Sequence, residues 1–360
     1  MKYSILLVIA AAAILLLVGI SFTNTKKGTL DITGFITHSY DANISHIEEL
    51  PSNTTNTYKE ASEFSFPDDE GYHPDSDYEW LYFDGFVSEG KNEYGIMATI
   101  NHNGTAIFLI SDITNKRFNS RIFSDKPDFF KENYLINSTN YRWQRLEEPF
   151  SYNVNIEKEA LGINLNLFPN KQLISLNNLN SGDYFYSITD MSISGFLFVD
   201  GKKINVSGRG WMDHQWGSRL ASIVTAWEWF GLKLDDRTDV MVSKVLLDKG
   251  KISEIVQIVN PDGSVERMDD FNISYIANWQ SPKTNTTWPS GWRIIIPSKK
   301  TDLTVMPEFE DQELSGDIWE GPGKVEGVFN GQKANGKAFI ELFWKKSEAD
   351  NDVFEKMEDK

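Results

Sequence analysis

The feature that most constrains the fold is a succession of short strand-like runs that begins near residue 78 and continues almost to the end of the chain. The runs are rich in β-branched and aromatic residues, and turn signals separate them at intervals of about 8–12 residues. Asp200-Gly201 between two such runs is typical of a two-residue hairpin, and Asn260-Pro261-Asp262-Gly263 is a second turn signal. Lys126–Glu132 is the one segment with a helical pattern. The sequence therefore predicts an all-β fold, a sandwich or a barrel.

The first 60 residues differ from the strand-rich part of the chain, which we term the body. Residues 1–25 contain an almost wholly aliphatic stretch, which is typical either of an uncleaved N-terminal membrane helix or of a cleaved signal peptide. Gly19 and Ser21 form a weak cleavage site, but we favour the anchor, because the apolar run is long for a signal peptide and no A-x-A site follows it. Residues 26–60 are polar and indicate a stalk, with one short strand expected at Leu30–Thr37. Both interpretations place the body outside the cytoplasm, either tethered or secreted. Asn-x-Ser/Thr sequons agree with export, and they occur at Asn43, Asn53, Asn103, Asn137, Asn205, Asn272 and Asn285.

Composition excludes several classes of function. The net charge is −17 without a basic block, so we expect no nucleic-acid partner, because phosphate contacts need clustered Lys and Arg. The chain has no Cys, which excludes disulfides, thiol nucleophiles and Cys-ligated metals. It is 13% aromatic with 11 Trp, and large aromatic side chains are suited both to a packed β core and to the wall of an apolar ligand cavity.

Common catalytic and cofactor motifs are absent or incomplete. Gly331–Ala338 nearly matches a phosphate-binding loop, but Ala338 replaces the Ser or Thr that holds magnesium, and the segment joins two predicted strands. Neither G-x-S-x-G nor H-E-x-x-H occurs. The five histidines show no metal-ligand spacing along the chain. We therefore expect no metal and no cofactor.

One dense polar and aromatic cluster remains, between Gly208 and Gly217. Because side chains alternate along a strand, Asp213 faces one side of this segment while His214 and Trp216 face the other. Two further segments combine aromatic residues with acids. In residues 78–85, one face of the predicted strand carries Trp80, Tyr82 and Asp84, and the other carries Glu79, Leu81 and Phe83. In residues 227–230, Trp227 and Trp229 share a face. A carboxyl or imidazole group buried among aromatics has a perturbed pKa and can serve as an acid or a base.

Several motifs together, in order, resemble those of the AttH-like and carotenoid 1,2-hydratase (hydroxyneurosporene synthase) family. The resemblance covers about residues 62–345. It rests on Phe66-Pro67-Asp68-Asp69, His73-Pro74, Glu79-Trp80-Leu81-Tyr82, Tyr186-Ser187, Trp211-Met212-Asp213-His214-Gln215-Trp216-Gly217, Trp227-Glu228-Trp229-Phe230, Trp288-Pro289, Asp311-Gln312-Glu313-Leu314, Trp319-Glu320-Gly321 and Glu341-Leu342.

The resemblance implies two consecutive lipocalin-like (calycin-type) antiparallel β-barrels and an apolar, isoprenoid or lipid-like ligand. We accordingly expect an anchor or signal peptide at 1–25, a stalk at 26–60, a first lipocalin-like domain at 61–218, a second at 219–346 and a charged tail at 347–360. The family's His-x-Trp corresponds to His214 and Trp216. A Tyr-x-Asp pattern of the hydratase members is replaced here by Met241-Val242-Ser243, which speaks against carotenoid hydration.

Three classes of function stay open. The first is an enzyme that acts on an isoprenoid or other lipid-like substrate as a hydratase, isomerase or cyclase. It would need a strong proton donor, a wall that tolerates a carbocation and a positioned water. For it we predict Asp213 and His214 as the acid/base pair and Glu79, Trp80, Tyr82, Trp216, Trp227 and Trp229 as substrate-binding residues. The second is a non-catalytic carrier or sensor of an apolar ligand at the membrane surface. The third is an envelope interaction protein with simply packed barrels.

Overall fold

The computed structural model describes residues 68–130, 135–147, 150–175, 183–217, 224–247, 250 and 252–345. In these residues the regular structure is β-strand with two short 3-10 turns, at Asp68–Glu70 and Pro297–Lys299, so the all-β prediction is confirmed. The predicted helix at Lys126–Glu132 is wrong, because Asp128–Phe130 is a strand that pairs with Leu135–Asn137. The predicted N-terminal helix and the strand at Leu30–Thr37 lie outside the described residues. Among the described residues, no helix is long and apolar enough to cross a membrane.

Twelve strands form the first sheet. They are β1 Tyr78–Glu89, β2 Asn92–Asn101, β3 Thr105–Asp112, β4 Arg117–Ser124, β5 Asp128–Phe130, β6 Leu135–Asn137, β7 Tyr141–Glu147, β8 Phe150–Lys158, β9 Leu161–Pro169, β10 Ile174–Ser175, β11 Asp183–Val199 and β12 Lys202–Gly217. The order is β4-β3-β2-β1-β12-β11-β9-β8-β7-β6-β5, with β10 paired to β11. The long strands β1, β11 and β12 are therefore neighbours at its centre.

Ten strands form the second sheet. They are β13 Val224–Leu234, β14 Asp239–Leu247, β15 Ile252–Val259, β16 Val265–Met268, β17 Asn272–Gln280, β18 Thr287–Ile296, β19 Thr301–Pro307, β20 Glu313–Ser315, β21 Ile318–Phe329 and β22 Gln332–Trp344. The order is β16-β15-β14-β13-β22-β21-β19-β18-β17, with β20 paired to β21. All strand pairs in both sheets are antiparallel, and each sheet curls into a half-barrel.

The predicted hairpin turns follow from local chemistry. Asp200 and Gly201 have φ of 51° and 74° between β11 and β12, as a two-residue turn of this kind requires. Between β21 and β22 the turn is Asn330-Gly331. Most of the segment that resembles a phosphate-binding loop, residues 331–338, is therefore part of strand β22.

The apolar core consists of three layers, because each central strand buries both of its faces. One cluster fills the concave side of the first sheet and includes Leu81, Phe83 and Met212. A second fills the second sheet and includes Phe230, Trp288 and Trp292. A third lies between the sheets and takes side chains from both. The sheets approach closely at Gly95, where a Cβ atom would stand 2.5 Å from the Pro322 ring.

Candidate functional site

The polar segment of β12 supplies two separate sites, one on each face of the strand. Asp213 pairs in register with Tyr82 and points into the layer between the sheets, while His214 pairs with Leu81 and points into the first half-barrel. Their hydrogen-bond partners are different: Ser187 and Trp211 for Asp213, and Glu79 and Tyr186 for His214. Asp213 and His214, predicted as the acid/base pair, thus lie on opposite sides of the sheet without a shared partner in these contacts, and their catalytic roles stay a prediction.

The layer between the sheets contains what we term the inter-sheet acid cluster: Tyr82, Asp84, Asp213, Glu320 and Glu341. Its members come from both sheets, and each is fully buried. The Tyr82 hydroxyl donates a hydrogen bond of 3.0 Å to Glu320 Oε1 across the boundary. Glu320 and Glu341 are register partners on β21 and β22, so their carboxyl groups lie side by side on one face.

Burial keeps protons on these carboxyl groups. It raises the pKa of Asp84, Glu320 and Glu341 well above the ordinary values, and the mutual repulsion of neighbouring carboxylates adds to the effect. Burial also raises the pKa of Asp213 to about 7, against the opposing hydrogen bonds from Ser187 and Trp211 and the charge of Lys233. Burial therefore favours the protonated form of Asp84, Glu320 and Glu341, while the pKa of Asp213 lies close to neutral pH.

The hydrogen bonding of the cluster is incomplete. Both carboxyl oxygens of Asp84 and Oδ2 of Asp213 are buried without a hydrogen-bond partner among the described residues. Asp213 Oδ1 accepts from the Trp211 indole at 2.7 Å and from the Ser187 hydroxyl. The proton of Asp213 is therefore best placed on Oδ2. Lys233, the cation that acts on Asp84 and Asp213, donates to the carbonyl of Gly210 at 2.9 Å.

Indole rings surround these acids. Trp229 packs edge-on against Trp211 with ring centroids 5.4 Å apart, and its ring lies 6.2 Å from Tyr82. Trp227 stacks on Phe343 at 4.2 Å in the same layer. Of the predicted substrate-binding residues, Trp80, Tyr82, Trp227 and Trp229 all belong to this apolar layer, together with Trp211. The structure thus brings four of the six together with Asp213.

A row of cross-strand neighbours runs through this layer on the second sheet. Ser243 of β14 is in register with Trp229 of β13, Trp229 with Glu341 of β22, and Glu341 with Glu320 of β21. Ser243 stands where the resemblance calls for an acid. The carboxyl groups of Glu341 and Glu320 lie on the same face of the same sheet, on the other side of Trp229.

The second site lies on the concave side of the first sheet and is termed the Glu79 cluster: His73, Glu79, Tyr186, His214 and Trp216. Glu79 Oε1 is 2.8 Å from His73 Nδ1 and 2.9 Å from His214 Nε2, and the backbone N–H of His73 donates to Oε2 at 2.8 Å. The His73 ring stacks on Trp216, with centroids 4.1 Å apart and planes 4° from parallel. The remaining two predicted substrate-binding residues, Glu79 and Trp216, are therefore here with His214.

In the Glu79 cluster the pKa of the carboxyl group and the pKa of the buried imidazole are both lowered, in contrast to the raised pKa values of the inter-sheet acids. Burial alone would raise the pKa of Glu79, but hydrogen bonds from His214 and His73 outweigh it and lower that pKa to about 2. Burial lowers the pKa of His214, against the attraction of Glu79. An ionised carboxylate thus receives hydrogen bonds from a neutral buried imidazole. Glu79 and His214 also line a cavity of about 20 Å³, which is room for about one water.

The sequence analysis did not predict three buried acids of the site, nor that His73 and His214 both contact Glu79. Asp84, Glu320 and Glu341 lie in motifs named above but are not among the predicted site residues. Their signal is a carboxyl group inside an otherwise apolar strand run, such as Phe339 to Trp344. Histidine spacing along the chain could not show that His73 and His214 converge on one carboxylate, because the two residues come from a loop and from β12.

Comparisons with known proteins agree with this architecture. A model of the AttH-like protein family matches residues 57–343. A crystal structure from Nitrosomonas europaea, of a protein assigned to AttH, superposes with a TM-score of 0.66 at 21% identity, covering 78% of this chain and 96% of that one. Kievitone hydratase from Nectria haematococca superposes with a TM-score of 0.65 at 16% identity, covering 79% and 93%. At these identities the likeness shows the fold alone.

One curated relative matches in sequence. The dehydratase asqC of Emericella nidulans is 23% identical over 167 residues, which is 42% of this chain and 47% of the relative. The chain thus spans about half the length of that relative.

Proposed function

Because the chain belongs to the AttH-like family, we propose that it adds water to, or removes water from, an apolar small molecule held between its two sheets. Two of the similar proteins are named for this chemistry, one as a hydratase and one as a dehydratase. The residues that we assign to the reaction are the inter-sheet acid cluster and the indole rings around it.

The observation that carries the proposal is that four carboxyl groups, those of Asp84, Asp213, Glu320 and Glu341, are fully buried in an aromatic layer. Burying four carboxyl groups costs stability that apolar side chains of similar volume would not cost. Hydration of an unactivated C=C bond needs an acid that is protonated at neutral pH and faces the substrate without competing water. Burial raises the pKa of Glu320 and Glu341 well above the ordinary value and that of Asp213 to about 7, so it favours the protonated form that the reaction needs.

The proposed reaction balances without an external reagent. A carboxylic acid of the cluster donates its proton to one alkene carbon, which forms a C–H bond and leaves a carbocation on the neighbouring carbon. Water then forms the C–O bond, and its surplus proton returns to the carboxylate. Dehydration is the same sequence reversed. We assign the donor role to Asp213, since its pKa of about 7 suits an acid that gives up and regains a proton near neutral pH and its Oδ2 has no partner among the described residues.

The indole rings suit an isoprenoid or other lipid-like substrate. Their faces attract a carbocation, by about 0.5–2 kcal/mol for each well-placed ring. They also supply the apolar wall that an extended hydrocarbon needs. Trp211 donates a hydrogen bond to Asp213 and packs against Trp229, so a substrate that enters this layer would contact acid and indole together.

A specific observation also favours the carrier alternative. Ser243 replaces the acid of the hydratase pattern, and the layer between the sheets is packed with fully buried side chains. A substrate reaches the cluster only if side chains at the sheet boundary move. A carrier would make the same movement and bind without turnover. Location outside the cytoplasm, tethered through residues 1–25, is part of either proposal, and protease protection in cells tests it.

The experiment that tests the proposal uses the full chain and any apolar compound that copurifies with it, identified by native mass spectrometry. Farnesol serves as an isoprenoid probe if no compound copurifies. Incubation in H₂¹⁸O should place one labelled oxygen in a hydrated product or, for dehydration, yield a compound lighter by one water, and Asp213→Asn and Glu341→Gln should stop either change while binding persists. The exposed Glu326→Gln is the matched control. A bound compound of unchanged mass and without label on the wild-type chain would support the carrier instead.

A further inference from the structure

The Glu79 cluster has a donor arrangement that the proposed reaction does not use. Two imidazole nitrogens approach the same carboxylate oxygen: His73 Nδ1 at 2.8 Å and His214 Nε2 at 2.9 Å. The three ligand-type atoms lie within 4.8 Å of one another. Two histidines and one carboxylate are also the protein ligands of a familiar class of catalytic zinc site.

Two of these side chains also have an outer partner. His214 Nδ1 lies 3.3 Å from the Tyr186 hydroxyl, whereas His73 Nε2 is buried without a hydrogen-bond partner among the described residues, 3.8 Å from Asp69 Oδ1. The second carboxylate oxygen of Glu79 accepts from the backbone N–H of His73. Metal-binding histidines are commonly oriented by an oxygen at the second ring nitrogen, which also fixes the tautomer that leaves the first nitrogen free to bind the ion.

An open coordination position is available beside the cluster. Glu79 and His214 line the cavity of about 20 Å³, which has room for about one water. His102 lines the same cavity, and its Nδ1 is buried without a hydrogen-bond partner among the described residues. A buried, unpaired imidazole nitrogen there can accept a hydrogen bond from a metal-bound water.

From this geometry we infer that His73, Glu79 and His214 bind a divalent first-row transition ion of the Zn²⁺ type, with the cavity beside His102 holding its water. Two imidazole nitrogens and one carboxylate favour such an ion over Mg²⁺ or Ca²⁺, which prefer oxygen ligands. The site lies inside the first half-barrel, on the opposite face of β12 from Asp213, and is independent of the inter-sheet acid cluster.

Binding requires only a small rearrangement. Zinc–ligand distances are about 2.0–2.1 Å, so ligand atoms that now share hydrogen bonds must separate by about 0.5 Å while the two imidazoles approach each other. His73 can adapt because it lies in the loop before β1, whereas Glu79 and His214 are held by strands β1 and β12. The ion would tie this loop to the sheet.

The first test is a titration of the full chain, stripped with chelator, with ZnCl₂ by calorimetry and with CoCl₂ by visible absorption. We expect one ion per chain and the strong visible bands of a four-coordinate cobalt site. His73→Ala should weaken Zn²⁺ binding more than about 10-fold, and Tyr186→Phe by about 10-fold, which is usual for an outer partner. His46→Ala, outside the described residues, is the matched histidine control.

The outcome is decisive in either direction. Loss of the cobalt bands in His73→Ala, with wild-type behaviour in His46→Ala, supports the site. Failure of the wild-type chain to bind Zn²⁺ at micromolar concentration overturns it, as does equal binding by wild type and His73→Ala. Since His73 lies outside the strands, circular dichroism of His73→Ala should match wild type, and turnover at the inter-sheet cluster is measured separately.

Discussion

Tyr82 of the first sheet donates a hydrogen bond of 3.0 Å to Glu320 of the second sheet, and both side chains are fully buried. The bond joins the two half-barrels at the centre of their aromatic layer. It also shows that the layer combines acids from distant parts of the chain, 238 residues apart. The predictions below concern this layer and the separate cluster around Glu79.

Tyr82→Phe should destabilise the fold by about 1–3 kcal/mol, because it leaves a buried carboxyl oxygen without its donor. Urea unfolding followed by Trp fluorescence measures the difference. Tyr72→Phe is the control, since the half-buried Tyr72 keeps its ring stack on Phe129, and we expect a change within about 0.5 kcal/mol. Equal stability of Tyr82→Phe and wild type would mean that the hydrogen bond contributes nothing.

Asp213→Asn should remove a pH dependence of stability. The pKa of Asp213 is about 7 in the folded chain and about 3.8 when unfolded, so the unfolded state releases its proton first. The contribution of the protonated group is complete below pH 4 and is lost as pH rises from about 4 to about 7, by up to about 4 kcal/mol. Asn mimics the protonated acid and should flatten this part of the curve.

Thermal unfolding between pH 4 and pH 8 measures the effect for Asp213→Asn, with Asp200→Asn as control. Asp200 lies in an exposed hairpin turn with φ of 51°, which Asn also tolerates. Parallel pH curves for wild type and Asp213→Asn would contradict the raised pKa.

Glu79→Gln should lower the free energy of unfolding at neutral pH and have a smaller effect at acidic pH. The pKa of Glu79 is about 2 in the folded chain and about 4.5 when unfolded, so the stabilisation is present above pH 4.5 and is lost as pH falls towards 2. At pH 7 we expect Glu79→Gln to cost up to about 3 kcal/mol. This loss of stability should be smaller at acidic pH. Denaturant unfolding of wild type and Glu79→Gln at pH 3 and at pH 7 measures it. A cost that is the same at both pH values would refute the lowered pKa.

Glu341→Met should stabilise the chain and abolish turnover. The substitution keeps similar volume but removes a buried carboxyl group beside Glu320, which relieves a desolvation cost of about 1–4 kcal/mol. Stability gained with activity lost is the pattern expected of a functional acid. Glu326→Met on the exposed side of β21 should change stability by no more than about 0.5 kcal/mol. Melting temperature and ¹⁸O incorporation together check both halves of the prediction.

Most of the fold was predictable from local patterns. Alternation, turn chemistry at Asp200-Gly201 and the even spacing of strand runs predict antiparallel β structure, and the motif order predicts the family. Alternation also places Asp213 and His214 on opposite faces, yet the sequence does not show that each face meets a different core. The curl of the sheets decides that, and it depends on packing between distant strands.

Which residues form the two clusters depends on contacts between segments that are far apart in the sequence. Tyr82 and Trp229 were predicted from aromatic patterns, whereas Glu320 joins them only because β21 and β1 meet across the layer. His73 reaches Glu79 because a loop folds over β1, and no spacing rule describes that contact. Boundaries at 218 and 346 stay predictions, as do the membrane anchor and the stalk.

The central claim is that carboxyl groups between the sheets are protonated at neutral pH and supply the reaction's proton. Infrared spectroscopy of the full chain in H₂O and D₂O at pH 7 tests it most directly, because a protonated carboxyl gives a carbonyl band that shifts on deuteration. We predict such bands in the wild-type chain and a selective loss of intensity in Glu341→Gln and in Glu320→Gln. A wild-type spectrum at pH 7 without protonated carboxyl bands would contradict the account.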